Sequence, residues 1–271
     1  MIKTRQLGVF KLNSKKIIGN GFEATIYLSP CNNFVIKNYK NTTLKYMRKE
    51  YNLFKNKKSE FLNTPIDIGY LNGTSDATAL IYKYYRDGDL VKFDDKLKTK
   101  RIKKRCKIYE ELFLNLWHGL YFCHNNNICH RDIKPENLFL KRDNNNNKNK
   151  KVIVIGDFGL SASVNNIKTR AGTMSYLAPE VALNRFYKYN PQYNYKIDIW
   201  SAGISYFRLI YGEHVFHNYK NIILESGYHG FKEYNPRLWS SLSEKSKIIF
   251  TNSLQVYPDQ RWDAEKFIEL Y

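Results

Sequence analysis

Near residue 85 the sequence changes period, and two periods in one chain of 271 residues restrict its fold more than any other feature. From 16 to 39 it runs in short stretches rich in Ile, Val, Tyr and Phe, broken by Gly19, Gly21 and the turn Pro30, Cys31, Asn32, Asn33. That pattern predicts a meander of strands. Leu44, Met47, Tyr51 and Phe54 then recur at three- and four-residue spacing, so one helix is expected over 44–54. Two further strands are expected over 66–71 and 79–84, on either side of Asn72 and Gly73. Beyond Tyr85, Arg86, Asp87 and Gly88 long helical segments take over. Over 101–125, Ile108, Leu112, Leu116, Leu120 and Cys123 keep near-helical register. The expected class is α+β. An Asn/Lys insert over 143–151 separates strand-like runs at 138–140 and 152–155. Its composition cannot bury enough surface to order itself, so it reads as a solvated hairpin tip.

The composition permits a substantial core, with 43% hydrophobic and 15% aromatic residues. Lys and Arg exceed Asp and Glu by 44 to 25, a formal charge of +19. That balance attracts phosphates, acidic proteins, nucleic acid or anionic membranes without choosing among them. Cys31, Cys106, Cys123 and Cys129 show neither CxxC spacing nor a paired framework, which disfavours a disulfide-stapled secreted domain or a zinc ribbon. No run approaches the roughly 18 to 20 apolar residues that span a bilayer, and the N-terminus lacks a signal-peptide core. An intracellular protein, cytoplasmic or nuclear, is expected.

Moving a phosphoryl group requires holding a polyanion still, neutralising its charge and placing an acceptor in line with it. Candidates for each part occur in order. Ile18, Gly19, Asn20 and Gly21 lie between two strands, where missing Cβ atoms would let backbone amides approach phosphates; alone, such a pair of glycines is more often simple turn chemistry. Lys37 follows on an otherwise apolar strand, able to reach phosphates as a point cation. A carboxylate on the next helix would partner it, and Glu50 is better placed than Glu60. The strongest run is His130, Arg131, Asp132, Ile133, Lys134, Pro135, Glu136, Asn137. Asp157-Phe158-Gly159 and Ala178-Pro179-Glu180 follow it.

On these residues the chain resembles the eukaryotic protein kinase superfamily, serine/threonine type, over nearly its whole length and in the correct order. The resemblance implies a bilobal protein kinase fold: a small β-rich N-lobe with one main helix (about 1–85), a hinge (about 83–88) and a larger, mostly helical C-lobe (about 89–271). It implies ATP and Mg2+ as cofactors and transfer of the γ-phosphoryl group to Ser or Thr hydroxyls of protein substrates. Asp132 would accept or orient the substrate hydroxyl proton, and Lys134 would offset charge on the transferring group. Asn137 and Asp157 would hold the metal through hard oxygen atoms. The ATP-binding set would be Ile18, Gly19, Asn20, Gly21, Ala24, Ile26, Val35, Lys37, Tyr82, Tyr84, Asp89 and Phe139. Lys134 and Thr173 point to serine/threonine rather than tyrosine substrates. Asp198 would anchor the catalytic loop, Arg261 would pair with Glu180, and Phe54, Phe158 and His130 would stack into a spine.

The sequence also departs from the family pattern. Ala24 stands at the third glycine of the nucleotide loop. Val35, Phe139 and Tyr82 are bulkier than usual, implying a narrow purine slot. Thr169, flanked by Lys168 and Arg170, matches the usual phosphoacceptor, and Arg131 offers the cation to receive its phosphate; Ser161, Ser163 and Thr173 are the rivals. Glu136 and Asp89 resemble acids that draw substrate arginines. Arg208, however, replaces the acid completing that pocket and reads as repulsive, so acidic or primed substrates compete with basic ones. The basic run over 96–107 (Lys96, Lys98, Lys100, Arg101, Lys103, Lys104, Arg105, Lys107) is either a solvated face or a site for an anionic partner. A monomer is expected. The rival readings are a pseudokinase scaffold, a small-molecule kinase and a nucleic-acid-binding protein.

Overall fold

The computed structural model describes residues 1–71, 76–143, 150–163, 171–182 and 194–271. The chain divides into two compact units, Met1–Arg86 with Gly156–Gly159, and Asp87–Ile155 with Leu160–Tyr271.

The first unit is built on an antiparallel sheet whose strands are β1 (Ile2–Thr4), β2 (Val9–Phe10), β3 (Ile17–Asn20), β4 (Ala24–Leu28), β5 (Phe34–Tyr39), β6 (Asp67–Leu71) and β7 (Ala77–Lys83), in the order β2-β1-β6-β7-β5-β4-β3. Helix α1 (Leu44–Phe54) occupies the span its apolar spacing predicts. Side chains alternate across a strand, and β5 shows the result. Ile36 packs on one face with Ile2, Phe10, Ala79 and Ile81. Val35 and Tyr39 pack on the other, with Met47 of α1, Ile68, Leu80 and Tyr82.

The sequence reading did not anticipate β1 and β2, which are too short to show a period. They join the sheet because Ile2 is fully buried and pairs with Leu71. The Asp67 carboxylate accepts hydrogen bonds from the backbone N–H groups of Gln6 (2.8 Å) and Leu7 (3.0 Å).

In the second unit, helix α2 (Leu90–Asp95) precedes the long helix α3 (Ile102–Asn125). The short strands β8 (Ile128–Cys129) and β11 (Ala162–Ser163) pair, as do β9 (Leu138–Arg142) and β10 (Lys151–Ile155). β9 and β10 run antiparallel, with Arg142 opposite Lys151. Residues 144–149 of the Asn/Lys insert lie outside the described residues. Helices α4 (Lys196–Tyr211), α5 (Glu213–Tyr234), α6 (Pro236–Ser240), α7 (Glu244–Ser253) and α8 (Ala264–Glu269) complete the unit. Helix α3 buries Tyr109, Leu112, Phe113, Leu116, Trp117, Leu120 and Cys123 along one face, and Trp117 stacks on Phe267 of α8 at 4.2 Å.

The basic run needs a correction. Arg105 is not part of its exposed face: the side chain is buried and donates to Asp94 at 2.6 Å, to the Leu97 carbonyl at 3.1 Å and to the Leu209 carbonyl. Burying this cation is tolerable only because a carboxylate and two carbonyls replace its water. The other seven cations of the run are exposed. Among the described residues, no helix is long and apolar enough to cross a membrane.

Candidate active site

One set of candidate residues assembles within the first unit. Strand β5 projects Lys37 toward α1, and its Nζ lies 3.2 Å from Glu50 Oε2 and 3.0 Å from Asp157 Oδ1. Burial alone would favour the neutral amine, but the two carboxylates reverse this and hold Lys37 charged, its pKa well above the ordinary value. Phe158 packs edge-on against Phe54, with ring centroids 4.5 Å apart. Asp157 has a φ of 56°, a left-handed conformation that Asp tolerates better than most residues. Gly159 leaves room for the charged cluster, since a Cβ there would lie 3.3 Å from Lys37 Nζ and 3.4 Å from Glu23 Oε2.

Sequence reading missed Glu23. Burial raises the pKa of its carboxyl, as do the fields of Asp157 and Glu50, while Lys37 acts in the opposite sense. The available signal was an acid inside a glycine-flanked turn.

In the turn between β3 and β4, Gly19 faces Ile26 and Asn20 faces Thr25. The Gly21 N–H donates to the Ala24 carbonyl at 3.0 Å, so that amide is committed within the loop. Ala24 is buried, Ile18 is exposed, and Ile26 and Val35 are half-buried. The Tyr84 backbone N–H donates to Asn33. The Tyr82 hydroxyl is spent on Glu50 at 2.6 Å.

The second set lies within the second unit. Asp132 Oδ1 accepts from the Thr173 backbone N–H at 2.9 Å and its hydroxyl at 2.7 Å. Oδ2 accepts from Lys134 Nζ at 2.8 Å and Asn137 Nδ2 at 3.1 Å. Lys134 also donates to Thr173 Oγ1 at 2.7 Å. With its nitrogen directed at Asp132, Asn137 keeps its amide oxygen for another partner. The amide oxygen of Asn137, in the second unit, and the carboxylate of Asp157, in the first, are each donors of the kind a hard cation takes.

Asp198 positions this loop from α4, accepting from the backbone N–H groups of His130 and Arg131, each at 2.8 Å, with His124 Nε2 at 3.2 Å. Burial would raise its pKa, but these bonds and the nearby histidines more than offset that, leaving it below the ordinary carboxylate value. Arg131 carries a φ of 73°, a strained value for a bulky residue. Asp89 caps α2 through the Lys92 N–H at 2.9 Å, and its backbone bridges to Phe139. Glu180 forms a bidentate pair with buried Arg261.

Arg208 is the second correction. It does not repel cations from an intact acidic pocket: it binds Glu136 at 2.8 Å, Glu213, and the Tyr176 hydroxyl at 2.7 Å. Thr169 lies outside the described residues. Ser161 is fully buried and donates to the His130 carbonyl, which makes it a poor phosphoacceptor.

Gly172 has a φ of 120°, and a Cβ there would lie 2.6 Å from the Arg131 carbonyl oxygen. Gly172→Ala is therefore expected to cost about 1–3 kcal/mol and to displace Thr173. The check is the melting temperature, expected to fall; an unchanged value would contradict the strain.

A family model described as "Protein kinase domain" matches residues 12–270. The chain is 35% identical over 162 residues to probable serine/threonine-protein kinase fhkE of Dictyostelium discoideum, covering 58% of this chain and 22% of that protein. It is 29% identical over 194 residues to the liver/testis phosphorylase b kinase gamma catalytic chain of Bos taurus (70% and 45%), and 31% identical over 197 residues to serine/threonine-protein kinase GG21441 of Drosophila erecta (71% and 25%). It thus spans less than half the length of each of these curated relatives. With a match over nearly its whole length, the chain belongs to the protein kinase domain family.

Proposed function

We propose that this chain is an ATP-dependent serine/threonine protein kinase. The observation that carries the reading is the closed network of Asp132, Lys134, Thr173 and Asn137, because it aims one carboxylate and one cation at the place where an acceptor hydroxyl would react. The similar serine/threonine-protein kinases support it. In this reading Lys37, held by Glu50, positions the triphosphate, and the β3–β4 turn with Ile18, Gly19, Asn20, Gly21 and Ala24 covers it. Ile26, Val35, Tyr82, Tyr84, Asp89 and Phe139 border a narrow purine slot. Asn137 and Asp157 would hold Mg2+, which when bound supplies charge neutralisation on the phosphate oxygens.

Asp132 takes the proton from the serine or threonine hydroxyl as its oxygen attacks the γ-phosphorus. Lys134 stabilises the charge spread over the transferring group, and ADP departs. Thr173 keeps Asp132 oriented and forms the platform for the substrate chain. Protein substrates are the expected partners. The Arg208–Glu136 pair reduces the pull of Glu136 on a substrate arginine, which leaves acidic or primed substrates competitive. The exposed cations of the basic run offer a second anionic contact. The working form is a monomer inside the cell, in cytoplasm or nucleus.

The test is radiolabelled phosphate transfer from ATP to a mixed peptide library, with Asp157→Asn as control. Label on serine and threonine that the control loses supports the reading; nucleotide binding without transfer would leave a pseudokinase. Regulation is assigned to Thr169, whose phosphate would be received by Arg131. Thr169→Ala is expected to lower kcat about tenfold or more, the worth of one charge-assisted contact, with the melting temperature unchanged. An unaltered rate, compared with wild type shown to be phosphorylated at Thr169, would remove that role.

A further inference from the structure

Glu50 is only 1% exposed, and a carboxylate so placed needs its charge met by its surroundings. Lys37 alone does not meet it, because the same ammonium also binds Asp157. Two phenols make up the difference. The Tyr39 hydroxyl donates to Glu50 Oε2 and the Tyr82 hydroxyl to Oε1, each at 2.6 Å, distances typical of strong charge-assisted bonds.

Strand geometry explains why these residues meet. Tyr39 lies two residues beyond Lys37 on β5 and so shares its face. Tyr82 sits on β7 directly opposite Val35, on that same face. α1 covers this face, placing Glu50 above both rings. Burial raises the pKa of both tyrosines, and the Glu50 charge raises it further, so they remain protonated donors.

We infer that Tyr39 and Tyr82 are positioning residues that clamp Glu50 onto Lys37, so that this pair is set within the first unit without a phosphate on the second. Every residue involved belongs to the first unit. The inference rests on the kinase reading and adds to it: phosphorylation of Thr169 would act on the second unit and leave the Lys37–Glu50 pair as it is.

The test uses the whole chain, with Tyr39→Phe, Tyr82→Phe and the double variant, each also in a Glu50→Leu background. Phenylalanine keeps the ring and removes only the donor. Each single change is expected to reduce kcat/KM for ATP about tenfold or more. In the Glu50→Leu background the same changes should reduce kcat/KM for ATP at least threefold less than they do in wild type, since no carboxylate remains to be held. An equal loss in both backgrounds would assign the tyrosines to packing and overturn the clamp.

A second cycle reads stability alone: the unfolding constants for Tyr82→Phe and Glu50→Leu should couple by about tenfold, and additive values would overturn the inference. Mg-ATP affinity of phosphatase-treated protein should lie within threefold of that of the phosphorylated form; a loss above thirtyfold would show that the pair is not preset. If wild type transfers no phosphate, the kinase reading falls, while the unfolding cycle still decides the clamp.

Discussion

Asp132→Asn is expected to lower kcat by about a thousandfold, within the range for removing a positioned general base. The carboxylate sits among four donors, two from Thr173, one from Lys134 and one from Asn137. An amide at this position turns an NH2 group toward part of that set and cannot take up a proton. Because Lys37, Glu50 and the β3–β4 turn are untouched, KM for ATP should change no more than a few-fold. A loss that falls mainly on kcat would place Asp132 at the chemical step. Activity within tenfold of wild type would remove the assigned role, as would a rise in KM with kcat unchanged.

Arg261→Ala is expected to destabilise the second unit by about 3–5 kcal/mol, the usual cost of breaking a buried ion pair by removing one partner. All five N–H groups of this guanidinium are used. Two reach Glu180 at 2.7 and 2.8 Å, and three reach the carbonyls of Gln255, Lys196 and Val256 at 2.8, 3.0 and 3.0 Å. Alanine would strand a carboxylate only 13% exposed and three carbonyls, and lysine lacks the planar fork that binds them together. In a domain of this size each kcal/mol shifts the midpoint by about 2–4 °C, so calorimetry should show a transition roughly 6–20 °C lower for Arg261→Ala. Arg261→Lys should recover only a small part of that. A melting temperature within 2 °C of wild type would show that the pair contributes little. Because Arg261 touches none of Asp132, Lys134 or Thr173, the surviving folded fraction should retain kcat at low temperature, which separates this variant from Asp132→Asn.

Parts of this molecule are written in local patterns. Helix α1 follows from four apolar residues at helical spacing, and α3 from a longer run of the same kind. The identities of Lys37, Glu50, Asp132, Asn137 and Asp157 stand out because their motifs are short and ordered. Other features join residues that no local pattern relates. The β1–β2 hairpin is anchored by Asp67, about sixty positions downstream, and it precedes the span matched by the family model. Arg105 reads as one more surface cation until Leu209, 104 positions away, accepts its hydrogen bond. Arg208 reads as a repulsive charge until Glu136, 72 positions away, is found beside it.

By itself the sequence determined the class of fold, the order of the chemical groups and the spans of the longer helices, because each depends on neighbours within a few turns or on the chemistry of a single side chain. Which charges are spent on one another, which cations face water and which hydroxyls hold Glu50 was decided by the tertiary structure alone. These are matters of distance and desolvation between residues far apart in the chain, and only packing brings their polar atoms within about 3 Å and removes the water that would otherwise serve them.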